Sequence, residues 1–592
     1  MESRFLITTA DERSWAKEKP VIFLGEWCKR FSKKNWQTLD STTIPYHWDS
    51  HQKFNQDYKY LGSVYEKILQ SLAKILNDLH GVDRSLRYWR IIVGPWLYYF
   101  VQIFYDRWEM INIAISEYKV EETIIFDLKA KDITANDMSD FTEKYQNDIW
   151  NHFIYSELIK QNKSVNISYV KISNKKKLNH VSKNPISKNK LINFISDFYK
   201  KSEKKDYFFI NIPKFEKWYL EIKLRQFPSN FHSPAVSLYD LDSYKRDNVI
   251  LDIKADNKFE SFLFKMIPNQ IPAVYFEGYS SLLKEAEKIS WPKKPKVILT
   301  SSSHIKDDFF KVWAAEKVET GSKLIINQHG GHYGIGKINA HEDHEMKISD
   351  YYFSWGWNNK KNDAIKSLSS LQLVSKIKKL NPNSTGKMLL VLCSFPRYSH
   401  WMLSFPISSQ YISYINDQIK FIECLNKDIQ KQVKVRFYMK DYGWDVKSRF
   451  QKILNMVEEE SPRNKISIKK SINKSRLYVA TYNATTFLEV LAANFPTIIF
   501  WDPNLFKIRE DAKQDFDKLY DVGIFHYNPQ SAAKKIEIIW DDIEGWWFNP
   551  ELQKAKNDFC EKYAKTSISW LEEWKNDLLY ISNETNNSKT NN

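Results

Sequence analysis

Glycine is scarce in this chain and concentrated in one stretch. Of the 15 glycines in 592 residues, five lie at positions 321, 330, 331, 334 and 336. They surround the end of an apolar run at 323–326 that predicts a buried strand. A strand that ends in a glycine-rich turn lets backbone N–H groups approach an anion or a sugar. We therefore predict a binding loop at Gln328, Gly330 and Gly331, with His329 as a catalytic group; the alternative is a tight turn around a packed histidine.

Short apolar runs alternate with helical patterns along most of the chain. Predicted strands lie at 4–9, 21–25, 123–126, 207–212, 273–276, 297–300 and 324–326, then at 388–393, 433–438, 466–468, 476–481 and 497–501. Such alternation is typical of parallel α/β units, which bind ligands beyond the carboxyl ends of their strands. The predicted fold class is α/β, with two Rossmann-like domains facing a cleft. GT-B glycosyltransferases share this arrangement with other two-domain proteins.

The length of the chain predicts more than one domain, because single cores rarely grow beyond about 250–300 residues. We place an N-terminal α/β domain, on the acceptor side, at 1–375, with a lysine-rich elaboration at about 160–206. A linker around Pro382 and Gly386 leads to a C-terminal domain at 386–565, which we predict to bind the nucleotide donor. Residues 566–592 are predicted to hold the end of a helix and a disordered polar tail.

The formal net charge of +16 has three interpretations. Nucleic acid is not expected as a partner, because no zinc-finger, RRM or Walker A signature accompanies the lysines. A solvated lysine-rich surface is the simplest interpretation. Peripheral contact with an anionic inner membrane is the third.

Cysteine usage and hydropathy both favour a cytoplasmic location. The four cysteines are scattered without a CxxC pair, which is typical of reduced thiols. The start of the chain lacks the pattern of a signal peptide. The longest apolar run, 91–105, contains Gly94 and Pro95 and is shorter than the roughly 20 residues of a membrane span, so we predict a core helix broken or started at Pro95.

A second candidate site lies in the C-terminal half, where the segment 480–489 follows a strand and opens a helix. We predict Thr485 as the N-cap and Thr486 in the first turn, next to Asn483. Free N–H groups and the helix dipole make such a helix start an anion site. Glu489 is then placed to hold the two hydroxyls of a ribose. The alternative is an ordinary capped helix with an exposed glutamate.

Two further strand ends carry candidate residues. Lys440 and Tyr442 follow the predicted strand at 433–438, where a lysine could pair with a phosphate or diphosphate. Asp11 and Glu12 follow the first strand, where a carboxylate could deprotonate an acceptor hydroxyl. The simpler interpretations are a surface lysine in a βα turn and a polar helix cap.

Metal binding is not expected. The segment His341-Glu-Asp-His-Glu345 is not HExxH, because its histidines are three residues apart. The single DxD, Asp240-Leu-Asp242, does not follow a clear strand. We predict no metal and no cofactor, with a nucleotide-activated donor as substrate.

Several motifs resemble a family of bacterial transferases found with surface-polysaccharide genes. They are TTADE at 8–12, FLGEWC at 23–28, SLRYWR at 85–90, GPWL at 94–97, QHGG at 328–331 and DYGWD at 441–445. More distantly, 328–330 and 485–489 resemble GT-B enzymes of capsule and teichoic-acid assembly, which use CMP- or CDP-activated donors. That resemblance implies a nucleotide site near Lys440, Thr485, Thr486 and Glu489. The chain has Met439 and Lys440 where those enzymes carry His-Pro.

Together these features predict a metal-independent glycosyltransferase. It would move a sugar, which we expect to be a CMP-activated acidic sugar, to a glycan or lipid-linked glycan of a surface polysaccharide such as O-antigen or capsule. One alternative is a CDP-polyol or CDP-glycerol phosphotransferase of surface-polymer assembly. Another is a non-enzymatic basic protein that binds anionic membrane or nucleic acid.

Overall fold

The strands of the protein form three parallel sheets. We describe a computed structural model over residues 4–16, 18–172, 205–359, 361–376, 380–460 and 466–590. The strands are β1 (Arg4–Ile7), β2 (Val21–Phe23), β3 (Ser41–Thr43), β4 (Val120–Phe126), β5 (Asn166–Val170), β6 (Tyr207–Ile210), β7 (Val297–Thr300), β8 (Lys323–Asn327), β9 (Tyr351–Ser354), β10 (Ile365–Ser367), β11 (Lys387–Val391), β12 (Val433–Arg436), β13 (Glu458–Glu460), β14 (Ser475–Ala480), β15 (Thr497–Phe500) and β16 (Phe525–His526).

Strand order defines the three sheets. Sheet A has the order β3-β2-β1-β4-β5, sheet B the order β10-β9-β8-β7-β6, and sheet C the order β13-β12-β11-β14-β15-β16. Sheets A and C therefore follow the doubly wound Rossmann order, which reverses direction between their first and fourth strands. Such a reversal leaves a crevice at the carboxyl ends of the strands, β1 and β4 in sheet A and β11 and β14 in sheet C.

Helices connect the strands and cover the sheets. The α-helices are His51–His80, Leu86–Ile92, Gly94–Glu117, Ala130–Ile133, Met138–Lys144, Asp148–Ile159, Lys214–Lys223, Ser243–Asp247, Lys258–Gln270, Ala273–Phe276, Tyr279–Lys288, Ser303–Lys306, Asp308–Glu319, Ala340–Ile348, Tyr411–Cys424, Lys427–Gln430, Val446–Arg449, Ile468–Ile472, Thr485–Ala492, Glu510–Asp521, Pro529–Ile539, Ile543–Trp547, Pro550–Tyr563 and Trp570–Thr590. Short 3₁₀ helices lie at Glu12–Ser14, Glu26–Cys28, Phe31–Lys33, Asn35–Thr38, His47–Asp49, Ser408–Gln410 and Ile453–Asn455.

The helix Gly94–Glu117 shows how local sequence sets these elements. Pro95 stands in its first turn, where the missing N–H costs no hydrogen bond. Apolar side chains cover most of its surface and are buried against neighbouring helices. The apolar run at 91–105 is thus a core helix, as predicted. None of the helices in the described ranges combines the length and the apolar composition that crossing a membrane requires.

The predicted fold class, α/β with two Rossmann-like domains facing a cleft, is confirmed, and the region 1–375 contains sheet A and sheet B. Two local predictions are wrong. Residues 273–276, predicted as a strand, form the helix Ala273–Phe276. The segment 466–468 lies outside the strands, and the edge strand of sheet C is Glu458–Glu460 instead. Both errors concern short apolar runs, whose periodicity cannot separate strand from helix.

The end of the chain is the largest departure from expectation. The helix Trp570–Thr590 continues through most of the tail that we predicted to be disordered. Trp574, Leu578 and Ile581 are buried against sheet B, next to Phe209 and other apolar residues. The apolar positions before residue 583 therefore anchor a helix into which the polar tail continues. Most of the lysine-rich elaboration, residues 173–204, lies outside the described residues.

We expect Trp574→Ala to destabilise the protein strongly. The indole is fully buried, and its Nε1 donates to the carbonyl oxygen of Ser369 at 2.8 Å. Truncating a buried tryptophan typically costs about 3–5 kcal/mol. Differential scanning calorimetry should show a clearly lower melting temperature. Ile568→Ala, at a fully exposed position, is the control and should change it little; equal melting temperatures for both variants would mean that the last helix does not pack as described.

Candidate functional site

The glycine-rich loop lies at the carboxyl end of β8. Gln328 shapes it from inside: its Oε1 accepts hydrogen bonds from the Trp355 backbone N–H at 3.0 Å and from Trp357 Nε1 at 2.8 Å. Its Nε2 donates to the carbonyl oxygen of Gly330 at 2.7 Å. Gln328 is buried, so in this structure its amide holds the loop in place, and a ligand would meet the loop at His329 and Gly330.

The loop touches sheet C at the start of the helix Thr485–Ala492. The N–H of Gly331 donates to Thr485 Oγ1 at 3.2 Å. A Cβ atom at position 331 would lie 2.5 Å from the carbonyl oxygen of Ala484, so only glycine allows this approach. Beside it, Asn483 Nδ2 and His332 Nδ1 are 3.3 Å apart. We call this contact between loop and helix start the seam.

More backbone contacts extend the seam. Gly336 forms an antiparallel bridge with Ile508, and Asn339 forms one with Leu403. Arg509 donates from Nε to the carbonyl oxygen of Gly336 at 3.0 Å and pairs with the carboxylate of Glu342. The loop is therefore bonded at several points to segments that follow β11, β14 and β15 of sheet C, which places the carboxyl ends of sheets B and C side by side.

His329 stands at the seam beside a buried carboxylate. Its Nδ1 lies 3.7 Å from Glu345 Oε1. Tyr333 Oη lies 3.3 Å from His329 Nε2 and donates to Glu345 Oε1 at 2.9 Å. His304 Nε2 is 3.2 Å from the same oxygen. Protein surrounds the His329 ring on most sides, yet 28% of the side chain is exposed, so the imidazole is reachable while Glu345 is not.

Burial controls the protonation of this pair. Burial raises the pKa of Glu345 to about 7, and the nearby His329 and the hydroxyl of Tyr333 act against that rise. Burial also lowers the pKa of His329, which the Glu345 carboxylate partly offsets. At neutral pH the imidazole is therefore largely neutral, the form that can accept a proton. A neutral, partly exposed histidine beside a carboxylate can act as a general base.

The sequence alone did not indicate Glu345, Tyr333 or His304 as site residues. Glu345 belongs to the segment 341–345, whose spacing does not match a metal motif. It lies on the helix Ala340–Ile348, which returns beneath the glycine-rich loop. A carboxylate twelve or more residues from its histidine in the sequence does not form a recognisable motif with it. Only the fold shows that the two groups are neighbours.

The predicted role of Thr485 as N-cap is wrong. The helix begins at Thr485 itself, its cap is Ala484, and no side chain caps it. Thr485 Oγ1 is instead turned to the N–H of Gly331. An uncapped start leaves the N–H groups of the first turn for another acceptor. Thr486, in that turn, is partly exposed.

Glu489 and Lys440 have protein partners in this structure. Glu489 forms an ion pair with Lys376, so a ribose would have to share or displace that lysine. Lys440 Nζ donates to Gln146 Oε1 at 2.6 Å and lies 4.4 Å from the centre of the Tyr442 ring. Lys440 thus sits where sheets A and C meet, across β11 from Thr485.

Two more buried histidines have a lowered pKa. Burial lowers the pKa of His400 to about 3, with Arg107, Lys306 and Lys440 contributing. Burial also lowers the pKa of His341, with His329 among the contributing neighbours. These histidines are therefore uncharged at neutral pH, and the positive charges that act on His400 are those of Arg107, Lys306 and Lys440.

Asp11 and Glu12 lie on sheet A and are paired. Asp11 Oδ1 accepts from Arg13 Nε at 2.9 Å, and Asp11 Oδ2 accepts from Arg13 Nη2 at 2.5 Å. Burial would raise the pKa of Asp11, but the bonds to Arg13 outweigh it and lower the pKa. Glu12 Oε2 accepts from Asn35 Nδ2 at 2.9 Å. The ion pair with Arg13 therefore makes Asp11 a weaker base than an isolated carboxylate, and Asn35 occupies one oxygen of Glu12.

Within the described residues, no group of three or more His, Cys, Asp or Glu side chains is placed to hold a metal ion. A cavity of about 340 Å³ lies elsewhere, between Lys129, Thr134, Leu241, Arg246 and Asn269. The candidate site lies along the seam, beside the topological crevice between the carboxyl ends of β11 and β14.

The fold and this crevice define a protein of the α/β class whose sheets meet at their carboxyl ends. The chain belongs to the LIC12162 family of transferases, whose family model matches residues 4–578. No curated protein sequence matches it.

Two solved structures are partly similar. S. aureus MnaA in complex with UDP has 12% identity and a TM-score of 0.34, covering 64% of this chain and 96% of its own. The trehalose-6-phosphate synthase OtsA has 8% identity and a TM-score of 0.31, covering 53% and 79%.

Gly331→Ala should disrupt the seam, whereas Gly330→Ala should not. A Cβ atom at 331 collides with the backbone of Ala484, while at 330 its nearest contact is a side-chain atom of Tyr333 at 3.5 Å. Overpacking of this kind typically costs about 1–3 kcal/mol. We expect a lower melting temperature and faster hydrogen exchange at 484–488 for Gly331→Ala alone. The same effect from both variants would show that loop flexibility matters rather than close approach.

Stability should fall as the pH decreases below about 6.5, the pKa of a histidine in the unfolded chain. Burial lowers the pKa of His332, His304 and His400 to about 3 in the folded protein. The unfolded chain then binds more protons, and each such histidine costs up to about 1.4 kcal/mol per pH unit. Glu345 acts in the opposite direction between its unfolded value and about 7.

Calorimetry in buffers of different ionisation enthalpy measures the protons taken up on unfolding at pH 5.5. His332→Asn should reduce that uptake by nearly one proton. An unchanged uptake would show that His332 is protonated in the folded protein as well.

Proposed function

We propose that this transferase is a glycosyltransferase that moves a sugar from a nucleotide donor to a hydroxyl of a surface glycan. The observation that carries the proposal is the seam, where an accessible histidine backed by a buried carboxylate lies beside an uncapped helix start. The first group suits proton abstraction from a hydroxyl, and the second suits a phosphate. A transferase needs both functions in one crevice.

Each residue has a defined part in the proposed reaction. The imidazole of His329 takes the proton of the acceptor hydroxyl, whose oxygen forms the new bond to the anomeric carbon. The bond from that carbon to the donor phosphate breaks, and the nucleotide leaves with the electron pair. The first-turn N–H groups near Thr486, together with Lys440, stabilise the charge on the departing phosphate. The carboxylate of Glu489 releases Lys376 and binds the ribose hydroxyls instead.

We propose a CMP-activated acidic sugar as donor and a glycan or lipid-linked glycan as acceptor, by the resemblance to capsule enzymes. Lys440 supplies one positive charge for the donor phosphate. A CDP-polyol donor would leave a phosphodiester in the product, which phosphorus NMR distinguishes from a phosphorus-free glycosidic bond.

Nucleotide binding should depend on Lys440. We expect one of CMP, CDP, UDP or GDP to raise the melting temperature, since a ligand at about 100 times its Kd adds about 2.7 kcal/mol. Lys440→Met should weaken that binding about tenfold by removing a charge near the phosphate. The control Lys431→Met removes an exposed lysine that pairs only with neighbouring Asp428. If no nucleotide shifts the melting temperature of the folded wild type, the proposed function is wrong.

His329→Ala should lower turnover by about 10²–10⁴, the range for loss of a general base. Nucleotide affinity should change little, because His329 belongs to sheet B. Glu345→Gln keeps the shape but removes the negative charge beside the ring, so we expect a smaller loss of kcat and a shifted pH profile. Steady-state kinetics over pH 5.5–9 test both. If His329→Ala kept full activity, His329 would not be the base. Asp11 would then be the next candidate, and Asp11→Asn the next variant to test.

A further inference from the structure

The helix Lys214–Lys223 exposes apolar side chains and buries charged ones, which is the reverse of an ordinary surface helix. Its apolar side chains Phe215, Tyr219 and Ile222 are 64%, 56% and 60% exposed. They share one face with Trp218, at the spacing of neighbours on a helix. The opposite face, which meets the protein, contains the charged residues Lys217 and Glu221, both buried. Single exposed apolar residues are common, but a continuous apolar stripe on one helix is not.

Buried polar contacts hold the helix in this orientation. Glu221 accepts hydrogen bonds from Ser229, from its N–H at 3.1 Å and its Oγ at 2.5 Å. Lys217 Nζ lies 5.1 Å from the centre of the Phe231 ring. Leu220, between them, packs in the core beside Trp574. Rotating the helix to bury its aromatic face would break these contacts and expose Leu220, so the observed packing favours the outward position of the apolar face.

Cations border the exposed face. Lys214 Nζ lies 4.6 Å from the centre of the Trp218 ring, and Lys223 pairs with Glu572 at 2.7 Å. Arg225 is exposed just past the helix. Aromatic rings beside lysine and arginine on one face are the composition of helices that lie in the headgroup region of a bilayer. The bordering charge, like the net charge of +16, favours an anionic surface.

The size of the face also favours lipid over a protein partner. The helix has ten residues and is about 15 Å long at 1.5 Å per residue. A specific protein interface needs about 800 Å² on each partner, which a stripe of four side chains on such a helix does not approach. Lipid contact requires only that the side chains enter the headgroup layer by about 5–10 Å.

We propose that the face formed by Phe215, Trp218, Tyr219 and Ile222 rests on an anionic lipid surface and holds the enzyme at a membrane. This contact does not depend on the proposed transfer reaction. It would keep the crevice close to acceptors that are attached to lipid.

The test compares two matched triple variants in co-sedimentation with vesicles. Phe215→Ser, Tyr219→Ser and Ile222→Ser together remove the face. Leu238→Ser, Tyr244→Ser and Ile250→Ser remove three apolar side chains that are 81%, 82% and 81% exposed elsewhere. Vesicles contain phosphatidylcholine alone or with about a third of phosphatidylglycerol.

We expect wild type to bind the anionic vesicles and the first triple variant to bind at least tenfold more weakly. The control variant should bind within twofold of wild type. Added salt should weaken binding of wild type without abolishing it, because only the charged part is screened. Melting temperatures should be similar in all three proteins, since the changed side chains are mostly exposed.

Four results would overturn the proposal. Wild type could fail to bind anionic vesicles, or the first triple variant could bind as wild type does. An equal loss of vesicle binding in both triple variants would mean that any exposed apolar residue contributes to binding, wherever it lies on the surface. If the first variant instead turned a dimer into a monomer, or lost several degrees of melting temperature with unchanged vesicle binding, a second copy or another part of this chain would cover the face.

Discussion

The close approach of Gly331 to the start of the helix Thr485–Ala492 is the contact on which the rest of the site depends. A backbone N–H meets a threonine hydroxyl at 3.2 Å, a distance that a side chain at position 331 would prevent. The contact aligns the carboxyl ends of sheets B and C, which brings His329 and Thr486 into one crevice. The glycine cluster in this glycine-poor chain therefore allows close packing between the two sheets. The proposed ligand site depends on that packing.

The same contact limits how the crevice can change shape. The loop is bonded to Thr485, to the bridge at Ile508 and to Arg509. A wide opening of the two sheets would break all three contacts at once. Movement that admits a substrate is easier for side chains that touch one partner each, such as Lys376 on Glu489. The site is thus organised before substrate arrives, which reduces the reorganisation that catalysis by fixed dipoles would otherwise require.

Sequence patterns predicted the fold class and most strands, because buried parallel strands are short apolar runs bounded by turn residues. They could not assign 273–276, where an apolar run of four residues suits a helix or a strand equally. They also missed the helical tail. Its anchors, Trp574 and Leu578, are apolar residues just before a polar stretch, and their partners on sheet B lie more than 200 residues away in the sequence.

Sequence patterns likewise identified only part of the candidate site. His329 was found from its neighbours in the chain, whereas Glu345 joins it only through the return of a helix beneath the loop. The carboxylate changes the proton affinity of the histidine. Burial alone would make the ring a weak base, and the adjacent negative charge restores part of its affinity for a proton. A base suited to neutral pH requires both effects in balance. Sequence spacing can suggest the residue that meets the substrate, but the group that adjusts it is selected by the fold.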